Sequence, residues 1–251
     1  TTEIYTLSLH DALPIYQKLD AGIVQFINQY NFTQFVMAIK GAGFVSSKQL
    51  NSQMTLDFAY TLYLMLRSDP TIPNEQIKRH VQKWFVLSTL TSRYIGSPET
   101  QMDRDMRNIE EKGFLNFKTE VEASTLSETF WTVTLPQNLE TSSVNSPAFN
   151  TFLAAQINLN CNSLLMKGTK ISDLITISGD VHHIFPRNYL KKNGIDNKTK
   201  YNQVANYIYL DTQVNKAIGD DPPFAYFSKV REQCRTKAIT LGNISDEETL
   251  Y

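Results

Sequence analysis

Cysteine and histidine are both scarce in this sequence, which has two cysteines and four histidines among 251 residues. Cys161 and Cys234 lie far apart and form no Cys-x-x-Cys pair, which disfavours a disulfide framework and a zinc ribbon. Two isolated thiols are typical of a reducing compartment, so we expect the protein to be cytoplasmic.

Long apolar runs are also missing. No stretch approaches the ~18 residues that a membrane span needs, and no signal-peptide pattern is present, so we expect no membrane partner. The formal net charge is only −1, and 41% of the residues are hydrophobic. This composition suits one or two domains with a sizeable core.

The two ends of the sequence are unusual. Residues 1–15, TTEIYTLSLHDALPI, are similar along their whole length to a translated sequencing adapter, and we interpret them as an artefact that also removes His10 from consideration. Near the other end, Ser245-Asp246-Glu247-Glu248 has the pattern of a capping box, which predicts the start of a helix. Only three residues follow it, so we expect a truncated fragment of a longer protein.

Residues 16–170 are predicted to form a helical region. Apolar residues recur at helical spacing in its first part; they are Leu19, Ile23, Phe26, Ile27 and Tyr30. Residues 74–94 predict one long helix, and Trp84 and Trp131 are expected in the core. His80 lies beside Arg79 in that helix and is expected on the surface.

The pattern changes at residue 171. LITISGDVHHI and ANYIYLD predict two strands, and KKNGIDNKTK predicts a polar turn between them. Asp211 or Thr212 is expected to cap a short helix that Gly219 ends. A last helix is predicted from Phe224 to about residue 240, within a C-terminal segment of residues 221–251. The expected fold is therefore mainly α, with a small α+β unit over residues 171–220.

Two neighbouring histidines, His182 and His183, lie in the stretch GDVHHIFP. Adjacent residues on a strand point to opposite sides, so both reach one site only where the strand ends and the chain turns. Pro186 favours such a turn, since it cannot continue a ladder. A neutral imidazole suits both a general base near pH 7 and a metal ligand.

Two asparagines complete the pattern. Asn206 follows the histidines, and Asn215 follows nine positions later on the predicted short helix. This order, together with His182-His183-Ile184-Phe185-Pro186, resembles the HNH or ββα-metal nucleases. The resemblance implies that His183 is the general base that activates water, and that His182 and Asn215 bind a divalent metal. Asn206 would brace the loop or orient His183.

The resemblance also implies a metal cofactor and a DNA substrate. Mg²⁺ is the expected cellular ion. Many HNH enzymes carry Asp at the position of His182, and a nitrogen ligand there favours Mn²⁺, Co²⁺, Ni²⁺ or Zn²⁺ instead. Arg187, Lys191 and Lys216 give the segment a positive bias that suits phosphate contacts. Ordinary surface lysines and arginines are the alternative.

A second resemblance covers most of residues 70–251. The stretches VQKWFVLSTLTSRYIGSPETQMDRDMR, DVHHIFPRNYLKKNG, YNQVANYIYLDTQVNKAIGDDPP and FSKVREQCRTKAITLGNIS are similar to the C-terminal region of GmrSD-type proteins. These are bacterial restriction endonucleases that act in phage defence, many of them directed at modified DNA. The resemblance implies a ParB/sulfiredoxin-like nucleotide-binding domain as a missing N-terminal partner.

Other interpretations remain open. The histidine pair is also compatible with a solvated loop or a buried structural pair. A non-catalytic helical module that binds DNA or a partner, with a degenerate HNH fold, is the alternative to the enzyme. An HNH nuclease that acts on RNA or as a toxin is a third possibility. Asp180 is a candidate neighbour of the metal ligands rather than a ligand, and Arg93 is expected to have a structural role at a helix end.

Overall fold

A computed structural model describes residues 9–140, 143–177 and 180–249 of the chain. Within these ranges the fold is mainly helical, with one two-stranded antiparallel sheet. This confirms the predicted mainly α class with a small α+β component. None of the helices in the described ranges combines the length and apolar character that crossing a bilayer requires.

The helices in chain order are α1 (Leu9–Phe26), α2 (Gln29–Gly41), α3 (Gln53–Ser68), α4 (Asn74–Leu90), α5 (Pro98–Lys112), α6 (Phe114–Thr125), α7 (Leu135–Leu139), α8 (Pro147–Asn158), α9 (Ile171–Ile177), α10 (Arg187–Lys192), α11 (Lys198–Tyr201), α12 (Thr212–Ile218) and α13 (Pro223–Thr236). The strands are β1 (Asp180–His183) and β2 (Tyr207–Leu210). Short 3₁₀ turns lie at Ser47–Gln49 and Val204–Asn206, and a π-helical turn at Phe130–Thr134.

The largest core lies among α2, α3, α4, α5 and α6. The predicted face of α4 is buried there, with Trp84 only 1% exposed. The helix ends at Leu90 rather than at Tyr94 because Ser92 takes a left-handed conformation with φ of 55°. The Arg93 N–H then bonds to the Ser88 carbonyl at 3.0 Å, which is a common way to end a helix.

The apolar side of α1 is exposed, and so is Trp131, which was expected in the core. Helix α1 forms across the boundary at residue 15, but its apolar residues and Tyr30 after it lie on the surface, from Ile23 at 48% exposed to Ile27 at 71%. Trp131 is 50% exposed in the π-helical turn, and its indole N–H donates to the Leu126 carbonyl. Helical spacing fixes which residues share a face, but not whether another element covers that face.

The first predicted strand is shorter than expected. Residues 171–177 form α9 instead, and β1 begins only at Asp180. Ile171, Leu174 and Ile175 are the buried residues of α9, at the i, i+3, i+4 spacing of a helix face. A short β-branched run has no period that separates a strand from a buried helical turn, which is why the sequence misled here. The predicted polar turn also differs, because α10 and α11 lie within the connection.

The C-terminal segment differs from prediction as well. Helix α13 ends at Thr236, and the chain folds back along it. The side chain of the buried Gln233 holds the returning segment in place. It accepts a hydrogen bond from the Leu241 N–H and donates one to the Ile244 carbonyl. The predicted capping box does not start a helix in the described residues up to 249. There Asp246, not Ser245, accepts from the Thr249 N–H, in a turn.

A fully buried carboxylate links α4 to α5. Asp105 accepts two hydrogen bonds from the Arg93 guanidinium, at 2.6 and 2.7 Å, and one each from Tyr94 and Gln101. The Trp84 indole N–H donates to the Tyr94 hydroxyl at 3.1 Å. Burial, and then the Asp105 carboxylate, raise the pKa of Tyr94 and keep it a donor. The structural role expected for Arg93 is confirmed.

We predict that Asp105→Asn lowers the free energy of unfolding by about 3 kcal/mol, because it leaves the Arg93 charge without its partner. Asp103→Asn is the matched control on the same helix. Asp103 pairs with Arg107 in an exposed ion pair, so we expect a loss under about 1 kcal/mol. Urea unfolding measures both, and equal losses would contradict the account.

His80 is half-buried, contrary to expectation. Its ring lies edge-on to Phe114 at 5.7 Å, and neither ring nitrogen reaches solvent or a hydrogen-bond partner among the described residues. Burial lowers the pKa of His80, and the nearby Lys118, Lys83 and Arg79 lower it further. The imidazole is therefore held neutral at physiological pH.

This environment predicts acid sensitivity. Because the folded-state pKa of His80 lies below its unfolded value of 6.5, the unfolded chain binds more protons as the pH falls below about 6.5. Stability is thus retained above that pH and lost below it. We expect His80→Leu to reduce the fall in the free energy of unfolding between about pH 6.5 and 5. Parallel curves for the two proteins, measured by urea unfolding at each pH, would show that His80 is not responsible.

Candidate active site

The two predicted strands form a short antiparallel ribbon. His182 lies opposite Ile208, and His183 lies opposite Tyr207. Directly opposite residues share a face of an antiparallel pair, while successive residues alternate. The two histidines are therefore on opposite faces of the ribbon, because the pairing continues through both of them.

The face of His182 is the one that α12 and α13 cover. Ile208 and Leu210 lie on this face and pack in one apolar cluster with residues of both helices. These include Val214, Ile218, Tyr226 and Val230. Asn215 is half-buried on α12. The structure thus puts both predicted metal ligands on the same side of the ribbon.

The face of His183 is different. Its ring lies edge-on to the Tyr207 ring at 5.3 Å and to the Tyr201 ring at 6.3 Å. Its Nε2 atom lies 2.8 Å from Oδ1 of Asn202. Both tyrosines are buried, so the imidazole is held by one hydrogen bond and two ring edges.

Asn206 holds the chain where β1 ends. Its carbonyl accepts from the Ile184 N–H at 2.9 Å, which extends the ladder by one bond. Its side-chain oxygen accepts from the Phe185 N–H at 2.7 Å, and its amide donates to the carbonyls of Phe185 and Tyr201. Of the two roles expected for Asn206, these contacts fit the bracing of the loop, and the contact to His183 comes from Asn202.

Two further contacts fix the ends of this unit. The Asp211 carboxylate accepts from the N–H groups of Gln213 and Val214 at 2.8 and 3.1 Å, so Asp211 caps α12 as predicted. The Tyr226 hydroxyl donates to the Ile184 carbonyl at 3.1 Å and ties α13 to the chain after the histidines. Pro186 directly precedes α10, so the chain does turn there.

The predicted phosphate-binding cations are all exposed. The Lys191 ammonium lies 5.7 Å from the centre of the Tyr201 ring. The same ring lies edge-on to the imidazole of His183. Within the described ranges, neither Arg187 nor Lys216 forms an ion pair, whereas Lys192 pairs with Asp220. Lys191 and His183 thus share a neighbour, the Tyr201 ring.

An open cleft of about 1040 Å³ adjoins the face of His183. Val181 and Tyr209, which pair across the ribbon on that face, line part of it. Lys48 and the nearly fully buried Asn150 also line it, and the Nδ2 atom of Asn150 has no hydrogen-bond partner among the described residues. The lining of the cleft therefore combines a cation, Lys48, with two residues of the ribbon.

The side chains that could coordinate a metal limit the kind of site that can form here. The described residues contain no group of three or more His, Cys, Asp or Glu side chains that could hold an ion, and of Asp180 only the backbone is described. His182 and Asn215 would supply one imidazole nitrogen and one amide oxygen. Two ligands fit a catalytic ion that takes its other ligands from water and phosphate, not a structural metal site.

No protein-family model, curated protein or solved structure matches this chain. The interpretation of the site therefore rests on the geometry of its residues alone. Sequence reasoning missed Asn202, Tyr201 and Tyr207, which contact His183. Asn202 lies outside the spacing of the HNH motif. The only sequence feature that could have indicated its contact with His183 is that it is a polar residue after a short capped helix.

We predict that Asn206→Ala loosens the chain after β1. The substitution leaves the Phe185 N–H and the Tyr201 carbonyl without their partner, which costs about 1–3 kcal/mol of stability. Amide hydrogen exchange at Phe185 should become faster relative to that at Val181. Asn193→Ala is the control, since the Asn193 side chain makes one exposed bond to the Tyr189 carbonyl. Unchanged exchange in Asn206→Ala would contradict the bracing role.

Proposed function

We propose that this chain is the nuclease part of a metal-dependent endonuclease of the HNH type that hydrolyses phosphodiester bonds in DNA. The observation that carries the proposal is the state of His183. It lies at the last position of β1, its Nε2 is bonded to Asn202, and the loop that follows is braced by Asn206. A positioned imidazole is what a general base for water requires, and an open cleft adjoins the ribbon face on which His183 lies.

The reaction assigned to the residues is a hydrolysis. His183 takes a proton from a water molecule, and the water oxygen forms a bond to phosphorus. The bond from phosphorus to the 3′ oxygen breaks, and that oxygen takes a proton from solvent, which leaves a 5′ phosphate and a 3′ hydroxyl. His183 then returns its proton to solvent, so the residue is regenerated.

The divalent metal would be held by His182 and Asn215. When bound, it would stabilise the negative charge that develops on the phosphate and the leaving oxygen. Mg²⁺ is the proposed cellular ion, and the imidazole ligand suits Mn²⁺, Co²⁺, Ni²⁺ or Zn²⁺ better than it suits Mg²⁺. Lys191 on the side of His183, with Arg187 and Lys216, would contact phosphates of the DNA and position it. Restriction of modified DNA, as part of a larger GmrSD-like protein, is the biological role that we propose.

A second candidate follows from one observation. The strand pairing includes both histidines, which keeps His182 and His183 on opposite faces of the ribbon. A degenerate HNH fold that binds DNA or a protein partner without cutting would have no need to bring them together. We place this candidate second because all four motif positions carry side chains that suit the chemistry.

Plasmid cleavage with Mg²⁺ or Mn²⁺ tests the proposal. We expect the chain, or any longer reading frame that contains it, to nick supercoiled DNA. His183→Ala should lower the rate by about 10²- to 10⁴-fold, and His182→Ala should raise the metal concentration needed for half-maximal cleavage. His80→Leu is the control, a histidine replaced far from the motif, and should leave cutting intact.

The contrary outcomes are distinct. Metal-dependent nicking that survives His183→Ala would remove the catalytic assignment. No cutting by the unsubstituted protein, together with a retained shift of DNA in a gel, would favour the binding module. Faster cutting of RNA than of DNA under the same conditions would contradict the substrate class.

A further inference from the structure

We propose that Asn202 is a positioning residue that sets which nitrogen of His183 acts as the base. The inference rests on the proposed function, because a base needs a defined lone pair only if it takes a proton from water. It starts from one distance, 2.8 Å between Nε2 of His183 and Oδ1 of Asn202.

The chemistry of the two groups determines which atom carries the shared proton. An amide oxygen accepts hydrogen bonds and cannot donate, so the hydrogen between the two atoms belongs to Nε2. In a neutral imidazole one nitrogen carries the proton and the other carries the lone pair. With the proton on Nε2, the lone pair is on Nδ1. In the opposite tautomer, two lone pairs would face each other across 2.8 Å.

The surroundings keep the ring in this orientation. Tyr207 lies opposite His183 in the ladder, and its ring is edge-on to the imidazole at 5.3 Å. Tyr201 approaches edge-on at 6.3 Å. The backbone of Asn202 is held at the end of α11, where its N–H donates to the Lys198 carbonyl at 2.9 Å. Neither partner of the hydrogen bond can therefore move away without disturbing buried rings or a helix end.

The arrangement favours proton uptake at Nδ1. When Nδ1 takes a proton from water, the ring becomes a cation and its Nε2–H still donates to Asn202. The neutral amide oxygen takes no proton from Nε2. Nδ1 is therefore the nitrogen that takes up the proton from water and releases it again.

Ring nitrogen NMR tests the tautomer directly. In protein labelled with ¹⁵N-histidine, at a pH where the imidazole is neutral, we expect His183 to show a protonated Nε2 and an unprotonated Nδ1. Asn202→Leu should produce a mixture or the Nδ1–H form. Asn202→Asp keeps an acceptor at the same place and should retain the Nε2–H form. Gln203→Leu, at the neighbouring residue, should change nothing.

Cleavage kinetics give the second measurement. We expect Asn202→Leu to lower kcat about 10- to 100-fold while KM stays within about twofold, and Asn202→Asp to restore most of kcat. The inference is overturned by an unchanged tautomer in Asn202→Leu, or by a raised KM with normal kcat. It is also overturned by an Asn202→Asp variant in which the tautomer reverses, since that would mean the amide donates to Nε2.

The two proposals fail in different ways. If the tautomer switches in Asn202→Leu but no protein cuts DNA or RNA, the proposed function fails and the hydrogen bond to His183 is confirmed as structural. If the protein cuts and the Asn202 variants show no change in either measurement, the positioning role alone fails.

Discussion

Asn206 bonds to the two residues that follow β1, Ile184 and Phe185, and to the Tyr201 carbonyl in the connection before β2. Its carbonyl continues the ladder to Ile184, and its side chain takes up the Phe185 N–H and two carbonyls. Because β2 begins at the next residue, Tyr207, this cluster also sets where the strand pairing starts. A slip of one residue would move every side chain of β2 to the other face. The position of both histidines depends on these bonds.

The pairing that Asn206 fixes sorts the ribbon into two surfaces with different partners. Ile208 and Leu210 pack with α12 and α13, whereas Tyr207 and Tyr209 pack with α8 and α9. His182 belongs to the first surface and His183 to the second. The proposed metal ligands and the proposed base are thus supported by separate apolar clusters, so each histidine can be replaced without removing the packing beneath the other.

Much of this arrangement could be predicted from the sequence. The long helix that begins at residue 74, the strand ANYIYLD and the Asp211 cap all depend on local chemistry, and the structure has them. The predictions that were wrong concern tertiary contacts, which local sequence patterns do not determine. The run at 171–177 became a helix because α8 and β2 bury one side of it. The apolar side of α1 stayed exposed because its spacing says nothing about a covering element. Asn202 meets His183 only through the fold of the 23-residue connection between β1 and β2.

We propose that the two histidines have separate roles, with His182 binding the metal and His183 activating the water. A crystal structure grown with Mn²⁺ tests it most directly, because the anomalous signal of manganese locates the ion without any assumption about activity. We expect a peak coordinated by His182 and Asn215, with His183 still bonded to Asn202 and outside the coordination sphere. A peak coordinated by His183, or no peak at His182 at saturating Mn²⁺, would contradict it.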